Sequence, residues 1–84
     1  MDESLYNEGT KLAKEAGYGE SEIEIWAKGY AEGSEKGRKD GWEYYGGYGN
    51  EPKEGTGLYE EGYKKGYWIG RGLGFKDRQI YGWQ

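Results

Sequence analysis

The chain has no cysteine, no histidine and no valine, and only one proline in its 84 residues. Each absence removes a class of answer. Without cysteine no disulfide braces the fold, and without cysteine or histidine a structural zinc site is not expected. The lack of histidine also removes the side chain most often used to move protons near neutral pH, leaving carboxylates, lysines, tyrosines and a few hydroxyls for any acid–base or nucleophilic step. Aliphatic residues are scarce as well, the whole set of leucines and isoleucines being Leu5, Leu12, Ile23, Ile25, Leu58, Ile69, Leu73 and Ile80. No segment approaches the roughly 20 apolar residues that span a bilayer. Met1-Asp2-Glu3 opens no basic or apolar leader. A cytoplasmic protein without a membrane role is expected.

What the chain has instead is glycine and tyrosine: 18 glycines, ten tyrosines, four tryptophans and one phenylalanine. A small domain has a marginal core even when apolar residues are plentiful, so the aromatic rings must supply most of the buried surface here, each tyrosine and tryptophan bringing a polar group that needs a partner. The glycines are not scattered. Gly29, Gly33, Gly37 and Gly41 form one ladder of spacing four, and Gly62, Gly66, Gly70 and Gly74 form a second. The segments around them, IWAKGYAEGSEKGRKDGW (25–42) and LYEEGYKKGYWIGRGLGF (58–75), align as an internal repeat of period 33. A truncated third copy, LYNEGTKLAKEAG (5–17), places Gly9, Ala13 and Gly17 on the same rungs.

Period-two alternation is absent, so the pattern predicts an all-α fold: one small domain over 1–84, with three helices at about 3–16, 21–43 and 57–71. Ser21-Glu22-Ile23-Glu24 reads as a capping box at the start of the second helix, and Ala16-Gly17 as the stop of the first. Residues 44–57, with Asn50, Pro52, Gly55 and Gly57, read as a loop, and Thr56 as the cap of the third helix. Gly70-Arg71-Gly72-Leu73-Gly74 is expected to fray. A glycine inside a helix costs on the order of 1 kcal/mol relative to alanine, so a ladder persists only if something lies against it. A bare stripe lets a second helix come close, and two ladders in one chain suggest that they face each other. The residues flanking that groove, Tyr30, Arg38, Trp42, Tyr63, Tyr67, Trp68, Arg71 and Phe75, are the candidate binding rim.

Chemistry beyond binding has little support. Glu20, Glu22 and Glu24 at a helix start favour the helix dipole, Glu60-Glu61 before Lys64-Lys65 is the charge pattern of a solvated helix face, and no convergent catalytic set can be assembled. No enzyme activity, cofactor or metal is expected. Gly70-Arg71-Gly72-Leu73-Gly74 follows no strand and lacks the lysine and hydroxyl of a phosphate-binding loop. Net charge is −4, divided as −5 over residues 1–24, −1 over 25–56 and +2 over 57–84. The third segment mixes Lys64, Lys65, Arg71, Lys76 and Arg78 with Tyr59, Tyr63, Tyr67, Trp68, Phe75 and Tyr81, a composition on which single-stranded bases stack, although an acidic chain is at a disadvantage on phosphate.

GYAEG (29–33), then Asn50 and Pro52, then LYEEGYKKG (58–66) resembles the ribosome modulation factor family and its phage-borne relatives, small helical hairpins built on Gly-Tyr or Gly-Trp repeats. The resemblance covers about 25–75 and implies docking on the ribosome without catalysis. Glu51 separates the asparagine from the proline, and an extra helix precedes the repeats. GYAEGSEKGRKDG (29–41) is also similar to the glycine-repeat helix of the flagellar export regulator that binds its ATPase, which implies helix pairing. The expected function is therefore a non-catalytic helical interaction protein, self-associating or docked on a protein or ribonucleoprotein. Two alternatives stand beside it. One is a small acidic phage-type inhibitor presenting Asp2, Glu3, Glu8, Glu15, Glu20, Glu22 and Glu24 as a phosphate mimic; the other is an aromatic-rich single-strand RNA or DNA binder.

Overall fold

In the computed structural model, which describes residues 2–44 and 55–82, the chain forms three helices: α1 Glu3–Glu15, α2 Glu20–Glu43 and α3 Leu58–Tyr81. The described residues contain no strand. Asp2 starts α1, its Oδ1 accepting the amides of Ser4 and Leu5 at 2.9 and 3.3 Å, the usual way to satisfy free first-turn donors. At the other end Tyr18 N donates to Ala13 O and Gly17 N to Lys14 O, the paired bonds of a Schellman stop. That motif needs a left-handed residue, and Gly17 has φ 88°. Gly17 is thus the turn between helices and not a rung of the first ladder.

Three expected boundaries are corrected. The capping box expected at Ser21 and Glu24 is displaced by two residues: Gly19 is the N-cap of α2, and its amide donates to Glu22 Oε1 at 2.9 Å. The short reach from the Gly17 turn brings the chain into helix early, so Ser21 lies within the first turn. Gly57, not Thr56, caps α3, with no side-chain bond. Most visibly, α3 does not fray at Gly70–Gly74 but continues to Tyr81. Packing overrides propensity there, because Gly70 and Gly74 are pressed against α2. The loop expected at 44–57 lies mostly outside the described residues.

The α2–α3 contact explains the ladders. A Cβ placed on any of the eight ladder glycines would collide with a carbonyl group of the opposite helix. On α2 these encounters are Gly29 with Tyr59, Gly33 with Tyr63, Gly37 with Tyr67 and Gly41 with Arg71; on α3 they are Gly62 with Trp26, Gly66 with Tyr30, Gly70 with Ser34 and Gly74 with Arg38. In every case the carbonyl belongs to the residue three before the partner's own ladder glycine. The relation is reciprocal, and both numbers rise together, so the helices run parallel and in register. This departs from the hairpin that the sequence resemblance implied. A tight turn joins only antiparallel helices, so the long connection between Tyr44 and Leu58 is a topological requirement of the parallel pair.

Where a Cβ would strike an oxygen, the glycine's own Cα–H points at it. Such Cα–H···O contacts contribute about 0.5–1 kcal/mol each, comparable to the roughly 1 kcal/mol by which a helical glycine is disfavoured. Each rung therefore offsets its own propensity cost. A stripe of period four also drifts by about 40° per step around a helix of 3.6 residues per turn. Because the contact repeats at four successive rungs of each helix, the two must wind about one another, and a period longer than 3.6 fixes the sense as right-handed.

The shorter α1 lies antiparallel on α2. Its amino end meets the middle of α2, where the Asp2 amide donates to Glu35 Oε1 at 2.6 Å, and Gly9 rests on Ala27 and Tyr30, with a hypothetical Cβ 3.0–3.1 Å from their atoms. Ala13, Trp26 and Tyr30 form the buried cluster, with Leu12, Tyr18 and Ile23 packed around it. None of the eight aliphatic side chains is buried. The interior is backbone, alanine and ring, with Ser34, Asp40 and Arg71 as its buried polar side chains.

Two glycine substitutions separate packing from propensity. Gly33→Ala places a methyl 2.8 Å from the Tyr63 carbonyl carbon and is expected to lower stability by roughly 1–3 kcal/mol, the range for overpacking. Gly72→Ala meets nothing within 4 Å among the described residues and is expected to raise it by about 0.5–1 kcal/mol. Thermal unfolding followed by circular dichroism reads both. A stabilised Gly33→Ala protein would contradict the rung geometry.

Candidate interaction surface

Two seams run beside the glycine contact. On one, Tyr59, Tyr63 and Tyr67 of α3 form a ladder of rings, with centroids 6.0 and 6.5 Å apart. Tyr67 is fully buried, and its hydroxyl donates to Oδ2 of the equally buried Asp40 at 2.8 Å. The other carboxylate oxygen has Lys36 Nζ at 3.3 Å, a pair within one helical turn. Arg71, also buried, sets its guanidinium 5.4 Å from the Trp68 ring centroid, within reach of a cation–π contact. Along the other seam Trp26 and Tyr30 stack at 5.5 Å, and Tyr30 donates to Glu8 Oε1 at 2.8 Å. Arg38 grips Asp77 Oδ2 through Nε and Nη2 at 2.9 and 2.6 Å, while Arg78 reaches the Trp42 carbonyl at 2.5 Å.

The eight expected rim residues accordingly divide. Tyr30, Tyr67 and Arg71 are interior; Tyr63 is half-buried; Arg38 is exposed but bound to Asp77; Trp42, Trp68 and Phe75 face outward. The ladder glycines are consumed inside the chain, so no bare groove is left on their stripe for an outside helix. Tyr63 stacks on Tyr67 and Tyr59 lies tilted against Tyr63, which makes them poor platforms for bases. Of the acidic set, Asp2 caps α1, Glu8 holds Tyr30 and Glu22 holds Gly19. Glu3, Glu15, Glu20 and Glu24 are exposed. Among the described residues no group of three or more acidic side chains is arranged to hold a metal ion, and no helix is long and apolar enough to cross a membrane.

On the outside of α3 lies a surface of which sequence reading named Trp68 but missed Ile69, Leu73 and Ile80. Trp68, Ile69, Leu73 and Ile80 are 45%, 37%, 43% and 56% exposed, with Gly72 among them and Lys64, Lys65 and Lys76 exposed at the margins. In a chain with so few aliphatic residues this placement is informative. The signal was available in the repeat. Thirty-three residues earlier, α2 carries Glu35, Lys36, Lys39 and Asp40 where α3 has Trp68, Ile69, Gly72 and Leu73. The two copies share the ladder glycines and differ at these positions, where Asp40 is buried against Tyr67 of α3 and its equivalent Leu73 is exposed. Next to this face a cleft of about 650 Å³ opens between the end of α1 and α3, walled by Leu12, Ala16 and Trp26 on one side and Glu61, Lys65 and Trp68 on the other. Tyr18 ties the turn after α1 to Glu61 at 2.6 Å. The cleft shares Lys65 and Trp68 with the outer face and extends it towards α1.

No family model matches the chain, and no curated protein and no solved structure matches it either.

The buried phenols give the fold an alkaline limit. Tyr30 is pushed up to about 12 by burial and then by its bond to Glu8, and Tyr67 to about 12 by burial and then by Asp40. A phenol with a raised folded-state pKa stabilises fully below the unfolded value near 10 and loses that contribution as pH climbs through the folded value. Unfolding is therefore expected to set in between about pH 10 and 12. Phenolate absorbance and circular dichroism measured together should show the last tyrosines ionising as helicity falls. Complete ionisation near pH 10 with helices intact would rule this out.

Proposed function

We propose that this protein is a non-catalytic interaction module whose working surface is the outer face of α3. The observation that carries the reading is the exposure of Trp68, Ile69, Leu73 and Ile80 in a chain none of whose leucines or isoleucines is fully buried. Burying such a patch against a protein surface gains on the order of 25 cal/mol per Å² of apolar area, and a hydrophobic centre bordered by Lys64, Lys65 and Lys76 has the anatomy of a protein-binding patch. The glycine-locked pair supplies rigidity beneath it, so little ordering cost accompanies binding. Docking on a ribosomal protein is one form this takes, following the sequence resemblance. Base stacking is less favoured because the tyrosines of α3 are engaged with one another.

Site-specific photo-crosslinking in the producing cell tests this. A crosslinker at Ile69 is expected to give a discrete protein adduct, and one at the exposed Lys11 of α1 none. The captured protein, purified, should bind the wild-type chain and lose at least tenfold affinity, about 1.4 kcal/mol, with Leu73→Asp but not with Lys11→Glu. Equal labelling from both positions, or binding indifferent to Leu73→Asp, would reject the assignment. An adduct with a ribosomal protein would select the ribosome-docking form.

A further inference from the structure

Gly72 is the odd glycine of α3. The other four inside the helix each meet a carbonyl of α2, whereas a Cβ at Gly72 would find nothing within 4 Å among the described residues. No left-handed backbone requires it, since Gly17 is the one glycine with positive φ among the described residues. Within the folded chain it therefore carries the roughly 1 kcal/mol helix cost with no contact to offset it. It also sits at the centre of the exposed face, with Trp68 one turn before it, Lys76 one turn after it, and Ile69 and Leu73 beside it.

We infer that the outer face of α3 pairs with the same face of a second copy, the two α3 helices running antiparallel and crossing at Gly72. The inference rests on the reading of this face as the working surface and names its occupant. A bare Cα at the crossing lets two helices approach closely, the same device that joins α2 to α3. The spacing of the flanking residues selects the arrangement. Trp68 and Lys76 are equidistant from Gly72, so a two-fold axis there sets Trp68 against the partner's Lys76 twice, an aromatic ring and an ammonium. The parallel alternative places Lys76 against the partner's Lys76, and like charges repel. The surface is thus complementary to itself in one orientation and not in the other. A single helix crossing buries less than a standard interface of about 1,200–2,000 Å², so association is weak and concentration-dependent.

Sedimentation velocity and light scattering on the full chain, from micromolar to millimolar concentration, test the pairing. The mass of the wild-type chain should rise from 9.6 kDa towards twice that value. Gly72→Glu, whose Cβ meets nothing within 4 Å among the described residues, should keep or raise the thermal midpoint while weakening association at least tenfold, and Trp68→Ala should also weaken it. Lys39→Glu, at the α2 position equivalent to Gly72, should leave association unchanged. A wild-type chain that stays monomeric, a Gly72→Glu chain that associates like wild type, or a Lys39→Glu chain that loses association overturns the pairing. The two readings fail separately: a monomer whose Ile69 crosslinks to a foreign protein removes the pairing and keeps the docking surface. An Ile69 adduct to a second copy alone supports the pairing and removes the foreign partner.

Discussion

The contact on which the rest depends is a glycine Cα–H lying against a carbonyl oxygen of the neighbouring helix, repeated at eight rungs. It is a backbone interaction, so it excludes side chains from the centre of the interface and sets the distance between helices by the chain itself. Because a carbonyl recurs once per rung, it fixes register as well as distance. It also determines what the remaining residues do. Rings flank the seam and cover it, Tyr67 and Asp40 satisfy each other beside it, and Ile25, Ile69, Leu73 and Ile80 are left on the surface.

Much of this was readable from the letters, for definite physical reasons. Spacing of four at Gly29–Gly41 and Gly62–Gly74 identified the helices and the stripe each presents. Direction was not readable, because a stripe of equal steps is the same from either end, and the choice between parallel and antiparallel lies in which carbonyl each Cα meets. The extent of α3 was underestimated because propensity was applied to Gly70–Gly74, where a tertiary contact overrules it. The displaced start of α2 has a similar origin: Gly19 has no side chain with which to advertise a cap, and its amide is satisfied by Glu22. Of the outer face of α3 only Trp68 was legible, as an aromatic flanking the ladder, because Ile69, Leu73 and Ile80 are not part of the pattern the repeats share. Glu35 against Trp68 is a difference between two exposed positions, whereas Asp40 is buried against Tyr67 and its equivalent Leu73 is exposed.

α2 and α3 can be seen as two halves of a symmetric parallel dimer joined in one chain. The eight ladder positions obey the same constraint, since each must accommodate the other helix's carbonyl, and all eight are glycine. Covalent connection frees the outer positions from that symmetry. One copy receives α1 through Ala27 and Tyr30; the other keeps Glu60 and Tyr63 at the corresponding places and turns a different side outward. A symmetric assembly of separate chains could not divide the labour in this way.

Parallel running has an electrical consequence. Peptide dipoles in α2 and α3 add instead of cancelling, so unpaired amides gather at one extremity of the pair and unpaired carbonyls at the other. Glu20 and Glu22 begin one helix and Glu60 and Glu61 the other, while Arg78 in the last turn of α3 binds the carbonyl of Trp42 near the end of α2. Glu20, Glu22, Glu60 and Glu61 are thus countercharges at the amino pole of the pair, and Arg78 at its carboxyl pole, where backbone groups would otherwise face water bare.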